Sequence, residues 1–132
     1  MKKILIIEDD VITQQFYTMF FKKRNIECII TDNGDKIFDA LAKKDIGVIL
    51  MDINLSNTFC NGEKTDGIKL SQLIKANDDY KNIPLVLVTA SSLSSQIKKF
   101  LNDTKAEDIV TKPILDYNRF INKINYYIAS LS

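Results

Sequence analysis

Four apolar, strand-like runs in this chain each end in a residue suited to handling phosphoryl groups. Ile4–Ile7 runs into Glu8, Asp9 and Asp10, Val48–Met51 into Asp52, Leu85–Val88 into Thr89, and Ile109–Thr111 into Lys112 and Pro113. Magnesium prefers hard oxygen ligands and takes one or two carboxylates, leaving its other positions to water and phosphate oxygens. Asp9 and Asp52 can supply those carboxylates, and Glu8 can hold a coordinated water from one shell further out. Without a cation, clustered carboxylates would raise one another's pKa. A carboxylate can also act as a nucleophile and form an acyl phosphate, which is the role expected of Asp52. Lys112 is a suitable point charge for a phosphoryl oxygen, and Thr89 can donate a hydrogen bond to another. Asp10 has a plainer reading as the cap of the helix that follows.

These groups can meet only if the strands that carry them lie side by side. Strands read at about 3–8, 26–31, 47–51, 84–88 and 107–111, and segments of helical period at about 11–24, 34–44, 67–77, 92–102 and 116–131. Ile and Val dominate most of the strands, as in parallel sheets covered on both faces. Five βα units in a row predict an α/β domain of three layers, a doubly wound (βα)5 sheet with right-handed crossovers. The usual order for such a sheet is 2-1-3-4-5, and its ligand crevice lies at the carboxyl edge between strands one and three. Asp9 and Asp52 would stand there. In the first helix Ile12, Phe16, Met19 and Phe20 form one expected core stripe. In the last, Phe120, Ile121, Ile124, Tyr127, Ile128 and Leu131 form another. Asp32-Asn33-Gly34 and Asn61-Gly62 are turn signals. The segment from Asp52 to Asp66 is polar and aperiodic, and it reads as a long functional or mobile loop.

Composition narrows the function classes. The 132 residues suit one domain, 1–132, with a proper core, 45% apolar and 27% charged. The net charge of +1 offers no attraction to nucleic acid or to an anionic membrane surface. No apolar run is long enough to span a bilayer, and Met1-Lys2-Lys3 with Ile4–Ile7 is too short for a signal peptide. A cytoplasmic protein is expected. The absence of histidine excludes His-based acid–base catalysis and any phosphohistidine on this chain. Cys28 and Cys60 lack metal or redox spacing; Cys28 reads as core and Cys60 as an exposed loop residue.

Ile4–Asp10 (ILIIEDD), Leu50–Asn54 (LMDIN), Asp66-Gly67, Val86–Ala90 (VLVTA) and Val110–Pro113 (VTKP) together resemble the receiver domains of two-component response regulators. The likeness covers essentially the whole chain and keeps every motif in order. It implies a CheY-like, flavodoxin-like fold with Asp52 as phosphoacceptor and Glu8 and Asp9 as the acidic pair. It further implies Mg2+ (or Mn2+) bound by these three residues and the backbone carbonyl of Asn54. Thr89 becomes the switch hydroxyl, Lys112 the conserved-type lysine, and Lys112–Pro113 a cis peptide. The implied function is a stand-alone receiver, not an enzyme beyond its own phosphoryl transfer and dephosphorylation. Its donor would be a histidine kinase or a histidine phosphotransfer protein, and its output a change in binding to a downstream protein.

Three departures mark this chain. The Asp66-Gly67 pair comes about seven residues later than usual after the acceptor, and Ser56 stands where a proline is common. Ile109 occupies the position of the usual switch Tyr or Phe. Lys105 replaces the usual Gly before the fifth strand, so Asn102 or Asp103 is expected to end the fourth helix. The signalling face implied by the resemblance would include Ile97, Lys98, Phe100, Ile109 and Tyr117. Two other readings compete: a receiver-like binding module that works without phosphorylation, and a flavin-binding electron carrier on the same topology. Against the flavin carrier, Glu8-Asp9-Asp10 would repel a phosphate where such a protein cradles one.

Overall fold

The computed structural model describes residues 2–130; Met1 and Leu131, the latter assigned above to the last helical stripe, lie outside the described residues. In chain order the elements are β1 (Lys3–Ile7), α1 (Val11–Lys22), β2 (Cys28–Thr31), α2 (Gly34–Ala42), β3 (Ile46–Asp52), β4 (Thr58–Cys60), β5 (Glu63–Thr65), α3 (Gly67–Ala76), β6 (Leu85–Thr89), α4 (Ser94–Thr104), β7 (Asp108–Thr111) and α5 (Tyr117–Ser130). Five strands form one parallel sheet in the order β2-β1-β3-β6-β7, which is 2-1-3-4-5 when the parallel strands are counted alone.

Strand alternation divides the core into two halves. On one face Leu5, Ile7, Ile49, Met51, Leu85 and Leu87 pack under Ile37 and Leu41 of α2 and Leu70 and Ile74 of α3. On the other, Ile4, Ile6, Val48, Leu50, Val86 and Val88 pack under Tyr17, Phe20 and Phe21 of α1 and Phe120 and Ile124 of α5. Fully burying each such large side chain contributes roughly 1.5–3 kcal/mol. Gly47 makes a register shift against Lys3 and Ile4, so Ile46 joins the α2–α3 half although Val48 and Leu50 face the other way.

The same alternation aims the charged groups. Glu8 continues the series of Ile4 and Ile6, Asp52 that of Val48 and Leu50, and Lys112 that of Val110. All three therefore leave the strand ends on the α1–α5 side.

Several expectations change in detail. The buried stripe of α1 is Tyr17, Phe20 and Phe21, while Ile12 and Met19 are exposed at 76% and 60%. At about 100° per residue those two lie almost opposite Tyr17, and Phe16 borders the buried face. In α5, Phe120 and Ile124 are buried and Ile121, Tyr127 and Ile128 half-buried, as the spacing predicts. The fourth helix does not end at Asn102 or Asp103. It runs to Thr104, and Lys105 itself takes the left-handed conformation (φ 59°) that glycine usually supplies. Cys28 is half-buried against the aromatic core rather than fully inside, and Cys60 is half-buried rather than exposed.

The largest correction concerns the segment after Asp52. It contains a two-stranded antiparallel hairpin, β4 with β5, pairing Thr58 with Thr65, Phe59 with Lys64 and Cys60 with Glu63. Asn61 and Gly62 form its turn with φ of 53° and 81°. Two positive φ values in a two-residue loop match the twist of the flanking strands, which is why Asn-Gly is favoured there.

Candidate functional site

Asp52 closes β3 with its side chain only 4% exposed. The backbone stays in the ladder, because the Ile53 amide donates to the Val88 carbonyl at 2.9 Å. One carboxylate oxygen of Asp52 accepts from the Asn54 amide (2.9 Å) and the other from the Lys112 ammonium (3.1 Å). A charge buried this far is expensive without a partner, and Lys112 is that partner. The chain folds tightly behind it. A side chain at Gly67 would run into the Asp52 carbonyl, so the start of α3 can lie against the acceptor only as glycine.

Glu8 lies beneath, 1% exposed. Its Oε2 accepts from the Asp10 amide at 3.1 Å, and Gln14 Nε2 donates to its carbonyl at 2.6 Å. Its Oε1 has no hydrogen-bond partner among the described residues and lies 3.8 Å from the Lys112 ammonium. Burial pushes the Glu8 carboxyl up to about 7; the neighbouring Asp52 adds to the rise, and the Asp10 amide and Lys112 oppose it. The phenol of the buried Tyr17 is also raised, first by burial and then by the charges of Glu8 and Asp52.

Asp9 is half-buried, and its contacts come from the far side of the cleft. Its Oδ2 accepts from the amides of Ser56 (2.7 Å) and Asn57 (2.9 Å), with Ser56 Oγ at 3.4 Å. Carboxylate oxygens of Glu8, Asp9 and Asp52 all come within 4.8 Å of one another. Three carboxylates this close, one with an orphaned buried oxygen, fit a hard divalent cation, which would relieve their mutual repulsion.

Thr89 ends β6, 1% exposed, and its hydroxyl accepts from the Ser91 amide at 3.1 Å, which leaves the hydroxyl proton free to donate. The Asn54 side chain bridges to this loop by accepting from the Ala90 amide at 3.2 Å. Lys112 is carried beside it, since its amide donates to the Thr89 carbonyl at 2.8 Å, and Lys112–Pro113 is cis as expected. Asp10 has the capping role, accepting from the amide and the hydroxyl of Thr13 at 2.9 and 2.7 Å.

The sequence-derived set of Glu8, Asp9, Asp52, Asn54, Thr89 and Lys112 therefore converges on one cleft. Sequence reasoning missed the Ser56 and Asn57 amides and the Gln14 amide. Gln14 sits one turn into α1 after the Asp10 cap, a position from which it can reach back. Nothing in the sequence marks the two amides, because any residue but proline carries one.

The family model for the response regulator receiver domain matches residues 4–125. The polar-differentiation response regulator DivK of Brucella anthropi is 26% identical over 97% of each chain. The heme response regulator HssR of Staphylococcus epidermidis is 32% identical over 83% of this chain, which spans only 44% of HssR. Among solved structures, the receiver domain of the Pseudomonas aeruginosa sensor histidine kinase PA1611, with a magnesium ion in its active site cleft, superposes with a TM-score of 0.79. That pair is 19% identical over 97% of this chain and 98% of the other, and so shares the fold.

Proposed function

The chain belongs to the response regulator receiver family, and on that premise we propose that it accepts a phosphoryl group on Asp52, with a divalent cation, and so switches the binding of a partner protein. The observation that carries this reading is the pairing of the Lys112 ammonium with Asp52 at 3.1 Å beside the carboxylates of Glu8 and Asp9. Glu8, Asp9, Asp52 and the backbone carbonyl of Asn54 would hold Mg2+ (or Mn2+). When bound, that cation would offset the charge of the incoming phosphoryl oxygens.

The rest is done by the chain. A carboxylate oxygen of Asp52 forms the new O–P bond. The P–N bond to a donor histidine breaks, and its electron pair leaves with the imidazole. The transfer needs positioning and charge neutralisation more than covalent help. Asp52 is held in place by the Asn54 amide, Lys112 can follow one phosphoryl oxygen, and the free proton of Thr89 can go to another. The adduct brings about −1.5 to −2 charges to one point. The resulting shift would be read on the face of α4, β7 and α5. There Ile109 packs half-buried against the aliphatic core, so the aromatic rotation that the family resemblance implies has no aromatic ring at this position to carry it.

The donor in this reading is a histidine kinase or a histidine phosphotransfer protein, the location is the cytoplasm, and residues 1–132 act as one stand-alone unit. DivK, similar along 97% of each chain, is itself a response regulator, which supports the receiver reading. Among the described residues no helix is long and apolar enough to cross a membrane. The test is intact mass after incubation with acetyl phosphate, with and without Mg2+, for wild type and Asp52→Asn. One Mg2+-dependent phosphoryl adduct on wild type alone is expected. No adduct, together with no binding of beryllofluoride, would favour a module that works without phosphorylation.

A further inference from the structure

We infer that the segment between Asp52 and Asp66 is a positioning clamp for Asp9, in which the Ser56 and Asn57 amides hold one carboxylate oxygen so that the other is aimed at the cation. This rests on reading Glu8, Asp9 and Asp52 as the cation site.

A carboxylate oxygen has two lone pairs, and the two amides fill both on Oδ2, at 2.7 and 2.9 Å. Bonds from amides to an ionised carboxylate are of the stronger, charge-assisted kind. The rotamer of Asp9 is thereby fixed, and Oδ1 is the atom left for a metal. Carboxylates that ligate metals are commonly oriented in this way by hydrogen bonds from behind, and losing such partners typically costs 10- to 100-fold in affinity.

Two features of this chain make the clamp possible. Ser56 carries the N–H that holds Asp9, which a proline at this position would lack. The added length folds into the β4–β5 hairpin, which is braced at its far end rather than left loose. The Asn61 amide donates to Asp35 Oδ1 at 2.9 Å, and Thr58 is fully buried. The Cys60 strand lies so close to α2 that a side chain at Gly34 would come within 2.7 Å of the Phe59 carbonyl. The amides that hold Asp9 are thus fixed to a structured unit seated on α2.

Positioning is reciprocal, so a cation that draws on Asp9 must also tighten the clamp. The test measures Mg2+ affinity by calorimetry for wild type, Ser56→Pro and Ser56→Ala, and follows exchange of the Asn57 amide in wild type with and without Mg2+. Ser56→Pro removes one donor and is expected to weaken Mg2+ binding roughly tenfold. Ser56→Ala keeps the amide and loses only the marginal 3.4 Å hydroxyl contact, so it should restore wild-type affinity. Mg2+ should slow exchange of the Asn57 amide. Equal affinity in a folded Ser56→Pro protein would overturn the clamp while leaving the phosphoacceptor reading intact. Unchanged or faster Asn57 exchange with Mg2+ would overturn it even if Ser56→Pro did not fold. Wild type that binds no Mg2+ would overturn both.

Discussion

The two helices that flank the Asp52 cleft are anchored very differently. α3 begins with Asp66 accepting from the Lys69 amide at 2.8 Å, places Gly67 against the Asp52 backbone, and buries Leu70, Ser71 and Ile74. α4 starts after Leu93, whose side chain caps nothing; it buries only Thr104, and the lysine that follows takes the left-handed conformation. Few buried side chains and an exposed, uncapped N-terminal end are the marks of low local stability. A charge arriving at Asp52 therefore meets a fixed wall on one side and a yielding one on the other. On the proposed reading, that asymmetry sends the response towards α4, β7 and α5.

Gly67 is the firmest point of the α3 wall. Gly67→Ala should destabilise the domain by about 3 kcal/mol, because overpacking here meets backbone rather than a movable side chain. The denaturation midpoint measures this, and a near-neutral result would mean that α3 is free to shift.

The floor shared by both walls gives the next effect. Glu8 is raised from 4.5 to about 7, so the folded state holds its proton more tightly than the unfolded chain does. Stability from this group is greatest below pH 4.5, falls as pH rises, and is lost above about 7, a change of roughly 2–3 kcal/mol. Melts in EDTA across that range should show the slope. Glu8→Gln should flatten it, and Mg2+ should reduce it in wild type; a slope that survives in Glu8→Gln would assign it to another group.

Asp66→Ala removes a helix cap and should cost about 1 kcal/mol, read as a lower melting temperature. The smallest effect has the opposite sign. Leu93→Ser offers α4 the cap it lacks and should stabilise it by roughly 0.5–1 kcal/mol, with slower exchange of the first α4 amides. If α4 amides in wild type already exchange as slowly as those of α3, the contrast between the walls disappears.

What the sequence made legible follows from range. The parallel sheet and its four chemical termini are written in local runs, and Asp10 announces its cap by position alone. The hairpin was also legible, since Asn61-Gly62 lies between two three-residue strands. Exposed residues such as Phe59, Lys64 and Glu63 give it no apolar period, so a search for hydrophobic alternation passes over it. The stripe of α1 was misplaced because apolar residues occur on both its sides, and only the partner surface decides which side is inward. The hold of Ser56 and Asn57 on Asp9 joins backbone amides to a carboxylate 47 and 48 positions away and leaves no trace in residue type.

Glu8, Asp52 and Lys112 stand in the same phase at the ends of β1, β3 and β7, and that agreement also guards the fold against its own mistakes. A strand that slipped by one residue would turn its terminal charge towards the aliphatic half of the core and present hydrocarbon to the cleft. Three strands would have to err together to leave the charges matched. The ion pair between Lys112 and Asp52 thus works as a proofreader, penalising near-native pairings that hydrophobic burial alone would tolerate.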